Sequence, residues 1–156
     1  LGSTIGVTRW FYDKVGNPTS ITDPRGQTTS HEYDKLNRRI RTTDPLNGVT
    51  QWAYDPAGNQ TKFTDARNLS STFVYDRLGR LSQQTDPTNG VTALAYDQVS
   101  NLTSVTDPNG FTTTFGYDKL DRRTTTTDPL GGTTQVAYDP RENAPKKHWF
   151  LRIKNR

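Results

Sequence analysis

The sequence predicts an all-β repeat protein, a ribbon of about seven 21-residue β-hairpin units, and three observations carry that prediction. First, a tyrosine–aspartate pair recurs every 21 residues without insertion: Tyr12-Asp13, Tyr33-Asp34, Tyr54-Asp55, Tyr75-Asp76, Tyr96-Asp97, Tyr117-Asp118 and Tyr138-Asp139. Second, Thr-Asp follows each of the first six tyrosines ten residues later, at Thr22, Thr43, Thr64, Thr85, Thr106 and Thr127. Strict self-similarity at a fixed period is the mark of one small unit copied along a line. Third, residues alternate ahead of every tyrosine, as in Thr50/Trp52/Tyr54, Ser71/Phe73/Tyr75 and Thr113/Phe115/Tyr117. A period of two puts Thr, a large apolar residue and Tyr on one face of a strand.

The units follow in order. The opening stretch Gly6-Val7-Thr8-Arg9-Trp10-Phe11-Tyr12 lines up with Gly48 to Tyr54, so the chain begins in mid-repeat. After each Tyr-Asp comes a turn rich in Gly and Asn, such as Val15-Gly16-Asn17, Ala57-Gly58-Asn59 and Leu78-Gly79-Arg80. These residues tolerate the positive φ that tight turns need. A second strand then runs to Thr-Asp, and another turn opens on Pro and closes near Gly, as in Pro45-Leu46-Asn47-Gly48 and Pro108-Asn109-Gly110. Thr64-Asp65-Ala66-Arg67-Asn68-Leu69 has neither Pro nor Gly, which predicts a looser turn there. Alternate units differ. Those of Tyr12, Tyr54 and Tyr96 carry Asn17, Asn59 and Asn101, whereas those of Tyr33, Tyr75 and Tyr117 carry Arg38, Arg80 and Arg122. The true period is therefore 42, and neighbouring units face unequal surroundings. The organisation reads as a repeat ribbon over residues 1–140 and a basic, non-repeating tail over 141–156.

Composition narrows the functional classes. Apolar residues make up 29% of the chain, well under the roughly 45–50% of ordinary globular domains. Aromatics at fixed positions and abundant Thr argue for a folded polar β-structure rather than disorder. With no cysteine, disulfides and thiolate metal sites are excluded. No stretch approaches the length of a transmembrane helix. The first residues lack the basic and apolar parts of a signal peptide. The chain has no Met, which suggests a segment cut from something longer. The net charge of +4 resides in the tail, where Arg141, Lys146, Lys147, Arg152, Lys154 and Arg156 face only Glu142. No basic stripe runs along the repeats, so nucleic acid is not expected as a partner.

The candidate chemistry is weak. Seven Tyr-Asp copies at identical positions read as structure, not acid–base couples: Tyr gives apolar area with a polar tip, and Asp bonds backbone N–H groups in an Asx-type turn. Calcium on the Asp ladder lacks any loop motif of the known kinds. His31 stands where Trp, Phe, Leu or Val stand in other units, so a partly buried ring is expected, and His148 lies in the tail. No catalytic residue, cofactor site or metal site is assigned. Trp10 and Trp52 are candidate ligand-contacting aromatics. The tail, with Trp149, Phe150 and Ile153 among cations, is a candidate membrane or nucleic-acid contact.

The units Tyr75-Asp76-Arg77-Leu78-Gly79-Arg80-Leu81 to Thr85-Asp86-Pro87, and Tyr12-Asp13-Lys14-Val15-Gly16-Asn17 to Thr22-Asp23-Pro24-Arg25-Gly26, resemble the YD repeats of the rearrangement-hotspot (RHS) family. That family includes bacterial polymorphic toxins, shell subunits of insecticidal toxin complexes and the animal teneurins. The resemblance spans about residues 6–140. It implies a β-hairpin ribbon that curves into a partial shell and encloses a toxin or effector domain, by structure and not by catalysis. It also implies further RHS repeats or the enclosed domain as partners, and a secreted or cell-surface setting. The self-cleaving segment that ends the family's shell has no match after Tyr138. Asp128-Pro129-Leu130-Gly131 carries similar letters at an ordinary hairpin turn, so cleavage and toxin activity are not carried over. A carbohydrate-binding or adhesion module, or a truncated copy without function of its own, are the alternative expectations.

Overall fold

The computed structural model describes residues 6–138, together with the strand at 151–153. Fourteen strands follow in chain order: β1 (Arg9–Tyr12), β2 (Pro18–Thr22), β3 (Thr28–Tyr33), β4 (Arg39–Thr43), β5 (Val49–Tyr54), β6 (Gln60–Thr64), β7 (Ser70–Tyr75), β8 (Leu81–Thr85), β9 (Val91–Tyr96), β10 (Leu102–Thr106), β11 (Thr112–Tyr117), β12 (Arg123–Thr127), β13 (Thr133–Gln135) and β14 (Leu151–Ile153). The chain divides into two compact units, 1–73 and 74–156, the boundary falling inside β7. Neighbouring strands pair antiparallel in sequence order from β1 to β7 and from β8 to β14. The all-β hairpin ribbon is thus observed. Of the tail, β14 adds to β13, with Thr133 opposite Ile153. The expectations for His148, Trp149 and Phe150 lie outside the described residues.

Two hairpin types alternate, and register separates them. Across the Tyr-Asp turns a bulge occurs one pair before the turn: Gly116 faces Thr125 but Tyr117 faces Arg123, which leaves Thr124 unpaired. The same step appears at Phe11/Tyr12, Glu32/Tyr33, Ala53/Tyr54 and, on the partner strand, between Leu102 and Ser104. Such a bulge inserts one residue and sharpens local twist. Thr124 returns its hydroxyl to the Gly116 carbonyl at 3.3 Å. Hairpins across the Thr-Asp turns run in regular register, as Thr22 opposite Thr28 and Ile21 opposite Thr29. Here the Thr before Asp has a reason. Its hydroxyl meets that of the facing residue in Thr22–Thr28, Thr64–Ser70 and Thr106–Thr112, at 2.8–2.9 Å.

Successive antiparallel hairpins put all Tyr-Asp turns of a unit along one rim and all Thr-Asp turns along the other. We call these the tyrosine rim and the threonine rim. The two rims use the same five-residue loop. In Asp76–Arg80 the Asp N–H donates to the fifth residue's carbonyl and the fourth residue's N–H donates to the Asp carbonyl, at 2.9 and 3.0 Å. Asp107–Phe111 on the threonine rim repeats both bonds at 2.9 and 3.0 Å. The fourth residue always has positive φ, from Asp121 at 58° to Gly58 at 96°.

One turn expectation is corrected by this loop. The turn at Asp65–Leu69 is not loose: Asp65 N–H to Leu69 carbonyl and Asn68 N–H to Asp65 carbonyl both measure 2.9 Å. Asn68 takes the left-handed conformation at φ 64°, which Asn visits more readily than other side-chain-bearing residues. In the turn ending Asn47-Gly48 the left-handed residue is Asn47, not the glycine. The corresponding glycine at 90 has another reason, since a Cβ there would sit 2.5 Å from an Asp86 carboxylate oxygen. Replacing Asn68 by Ala is expected to cost about 1–2 kcal/mol, and by Gly almost nothing, as measured by urea melts of the two variants.

Alternation along the strands matches the sequence pattern. In β9 Thr92, Leu94 and Tyr96 are half-buried while Val91, Ala93 and Ala95 are exposed. Among the described residues no apolar side chain is fully buried, and Thr64 is the one buried polar residue. The sheet is a single layer here, and no side chain packs under a second one. Stability must come from neighbour-to-neighbour contacts along the ribbon.

Candidate functional site: the clasped tyrosine rim

The Asp of each turn organises it. Asp76 Oδ1 accepts the N–H groups of Leu78 and Arg80 at 2.9 and 3.0 Å, while Oδ2 accepts Arg80 Nε at 2.7 Å. In the Asn-type turns the same Oδ2 accepts an amide: Asn17 Nδ2 to Asp13 at 2.8 Å and Asn59 Nδ2 to Asp55 at 2.9 Å. This is the Asx geometry expected of Asp.

The alternation of Asn and Arg then has a physical cause. Asn17 and Asn101, and Arg38 and Arg80, also reach the next turn along the rim. Asn17 Nδ2 donates to Asn37 Oδ1 at 2.9 Å, and Asn101 Nδ2 to Asp121 Oδ1 at 2.9 Å. Arg38 donates to the Asp55 carbonyl at 2.9 Å and lies over the Tyr54 ring, 4.7 Å from its centroid. Arg80 repeats this on the Asp97 carbonyl at 2.8 Å and on Tyr96 at 4.7 Å. Arg122 lies over Tyr138 at 4.6 Å. Within each compact unit amide clasps and guanidinium clasps therefore alternate from turn to turn.

The tyrosine hydroxyls add a second tie. Tyr33, Tyr54, Tyr96, Tyr117 and Tyr138 donate to the carbonyls of Pro18, Arg39, Leu81, Leu102 and Arg123, each 15 residues earlier, at 2.8–3.1 Å. The acceptor is the first residue of the preceding strand, or stands at its start, so each ring pins its own hairpin to the one before. Sequence reading saw the Tyr, the Asp and the Asn/Arg alternation but missed the bridging partners Asn37 and Asp121. It also missed Arg39 over Trp52 at 4.9 Å and Arg123 over Phe115 at 5.4 Å. The signal was present as cations one residue ahead of the bulged positions Ile40 and Thr124, but pairing across strands was needed to see it.

Chemistry of other kinds finds little here. Each Asp commits Oδ1 to N–H donors of its own loop, and among the described residues no group of three or more His, Cys, Asp or Glu is placed to hold a metal ion. His31 is half-buried, its Nδ1 2.9 Å from Thr42 Oγ1. Desolvation, then the Arg39 charge, hold its ring below the usual histidine pKa. Trp10 is 52% exposed on β1. Trp52 is half-buried against Phe63, 6.0 Å between centroids, beneath Arg39. Strands β3–β6 also carry a cavity of about 470 Å³ lined by Glu32, Arg41, Gln51, Trp52, Tyr54 and Lys62 among others, with an Arg41–Glu32 ion pair at 3.2 Å.

The clasp predicts acid sensitivity. The Asn17 amide holds Asp13 below the ordinary carboxylate range, the Arg80 N–H does so for Asp76, and the Arg122 side chain for Asp118. A carboxyl with a lowered folded pKa stabilises the fold fully above its unfolded value, about 3.9, and loses that contribution as pH falls through the folded value. Melting temperature is expected to dip slightly between about pH 7 and 5, where the unfolded state protonates His31 first, and to fall steeply below about pH 4. Thermal scans against pH read this directly. A fall that is complete by pH 5 would contradict it.

These features define a class: a single-layer hairpin ribbon locked by Asp-centred turns and inter-turn clasps. The RHS repeat model matches residues 12–49, 54–91 and 96–133, and the chain belongs to that family. Each match begins at an Asn-type unit, in step with the 42-residue period. Among solved structures, TcdB2-TccC3-TEV is similar over 85% of this chain, at TM-score 0.65 and 17% identity. TcdB2-TccC3 without its hypervariable C-terminal region is similar over 90%, at 0.53 and 14%. A Photorhabdus luminescens Tc holotoxin pore is similar over 89%, at 0.51 and 15%. The matched region spans only 8–10% of those chains. A comparison with curated proteins found no match.

Proposed function

We propose that this chain is a wall segment of an RHS-type shell that encloses a toxin or effector domain, and that it acts by enclosure and not by catalysis. The observation that carries this reading is the single layer. The ribbon has no fully buried apolar side chain among its described residues, yet every turn of the tyrosine rim described in full is fixed by its Asp and tied to a neighbour. Such a sheet is built to extend and to separate two spaces. Its partners are further RHS repeats and the enclosed domain, and its setting is secreted or cell-surface. Likeness to toxin-complex structures supports this reading through the fold.

Electron microscopy of the full product of the gene tests it. A hollow particle with internal density, its wall labelled by an antibody fragment against the Leu130 turn, is expected. A solid globule or an extended thread overturns it. Carbohydrate binding has one specific support, the exposed Trp10. Glycan-array signal lost on Trp10→Ala would favour that second reading, and a silent array would remove it.

A further inference from the structure

The two rims offer an internal control. They share one loop, with the same backbone bonds and the same positive-φ position, so loop geometry asks the same of both. The residue two places after Asp nevertheless differs. On the tyrosine rim it is Val15, Leu36, Ala57, Leu78, Val99 and Leu120. On the threonine rim it is Arg25, Leu46, Arg67, Thr88, Asn109 and Leu130. The loop therefore does not require an apolar tip, and yet the tyrosine rim keeps one at every turn. In the second unit Leu78, Val99 and Leu120 stand 67, 65 and 65% exposed. A repeated, solvated row of this kind marks an interaction surface.

The threonine rim of the same unit has the matching features. Phe111, Pro129 and Leu130 line an apolar cavity of about 390 Å³ between two turns, with Asp107 and Asp128 at its sides. Leu130 is 91% and Phe111 54% exposed. Turns on either rim recur every second strand, about 9.5 Å, so the spacing of the tips matches that of the two turns that flank this hollow. Charge does not oppose the contact. On the tyrosine rim Arg77, Arg80, Lys119 and Arg122 balance Asp76, Asp97, Asp118 and Asp121, with Arg77 and Lys119 directly beside Leu78 and Leu120, whereas the three threonine-rim turns at 86–90, 107–111 and 128–132 hold Asp86, Asp107 and Asp128 and no cation.

We propose that the tyrosine rim of one copy of this chain docks on the threonine rim of a second copy, with an apolar tip such as Leu120 seated in the hollow of Phe111, Pro129 and Leu130. The contact is heterologous, tip to hollow, so it does not close at two copies and propagates. It rests on the contrast between the rims and not on enclosure, so its failure leaves the shell reading untouched.

Sedimentation velocity over a concentration series tests it with three samples. The wild-type chain is expected to grow beyond a dimer as concentration rises. The tyrosine-rim variant L78D/V99D/L120D and the threonine-rim variant F111Q/L130D are each expected to associate at least about tenfold more weakly, a difference of about 1.4 kcal/mol. Their equimolar mixture retains one intact rim of each kind and is expected to regain association but stop at two copies. Far-UV circular dichroism checks the fold, and L78S/V99S/L120S replaces the Asp triple if that one misfolds. A monomeric wild type, or variants that associate like wild type through the open side of β1, overturns the proposal. A mixture that stays monomeric overturns the tip-to-hollow pairing.

Discussion

Replacing Tyr96 by Ala is expected to destabilise the chain by about 3 kcal/mol, the largest effect of any single ring in the second unit. Three contacts go at once: the half-buried ring of β9, the hydroxyl's bond to the Leu81 carbonyl at 3.0 Å, and the Arg80 guanidinium 4.7 Å over the ring. Tyr96→Phe separates them. It keeps the ring and the stack and loses one hydrogen bond, so about 1 kcal/mol is expected. For a chain of this size the Ala variant should melt about 6–12 °C lower. Equal effects of Phe and Ala would mean that the ring itself contributes nothing, against a sheet whose stability is neighbour contact.

Arg80→Ala is expected to cost about 2 kcal/mol. The ion pair to Asp76 at 2.7 Å is about a quarter exposed and contributes least of the three interactions. The charge-assisted bond to the Asp97 carbonyl and the stack on Tyr96 contribute more, because both tie one turn to the next. Arg80→Lys should recover little, since an ammonium cannot hold Asp76, the carbonyl and the ring face in one planar arrangement. A double cycle of Arg80→Ala with Tyr96→Ala, which removes the ring, reads the coupling between turns. Purely additive losses would place the stack's contribution near zero.

Much of this architecture was legible because the repeat is strict. Period-two placement of Thr, an apolar residue and Tyr fixed which face of β5, β7, β9 and β11 is covered. Asp at the head of every loop announced the Asx geometry. Three things were not legible, each for a physical reason. Turn 65–69 read as loose because Pro and Gly were missing, but the loop needs only one left-handed residue, and Asn68 supplies it. The clasp partners Asn37 and Asp121 lie 20 residues from Asn17 and Asn101, and only antiparallel pairing through two strands brings them within 2.9 Å. Bulges beside the tyrosines leave no composition signal, because the extra residue is Thr19, Ile40, Thr61, Thr103 or Thr124 in an otherwise β-like run. Of the two candidate tryptophans, nothing in the sequence foretold that Arg39 would cover Trp52 while Trp10 stays open.

A ribbon held by nearest-neighbour clasps, with no shared core, should gain stability with every pair of units added. The direct measurement is a urea melt of the chain with residues 96–137, one 42-residue pair, duplicated after Ala137. The junction Ala137-Tyr96 repeats the native Ala95-Tyr96 and Ala137-Tyr138 steps. A higher midpoint together with a steeper dependence on urea is predicted, as more surface unfolds in one coupled run. An unchanged midpoint would contradict neighbour coupling as the source of the wall's stability.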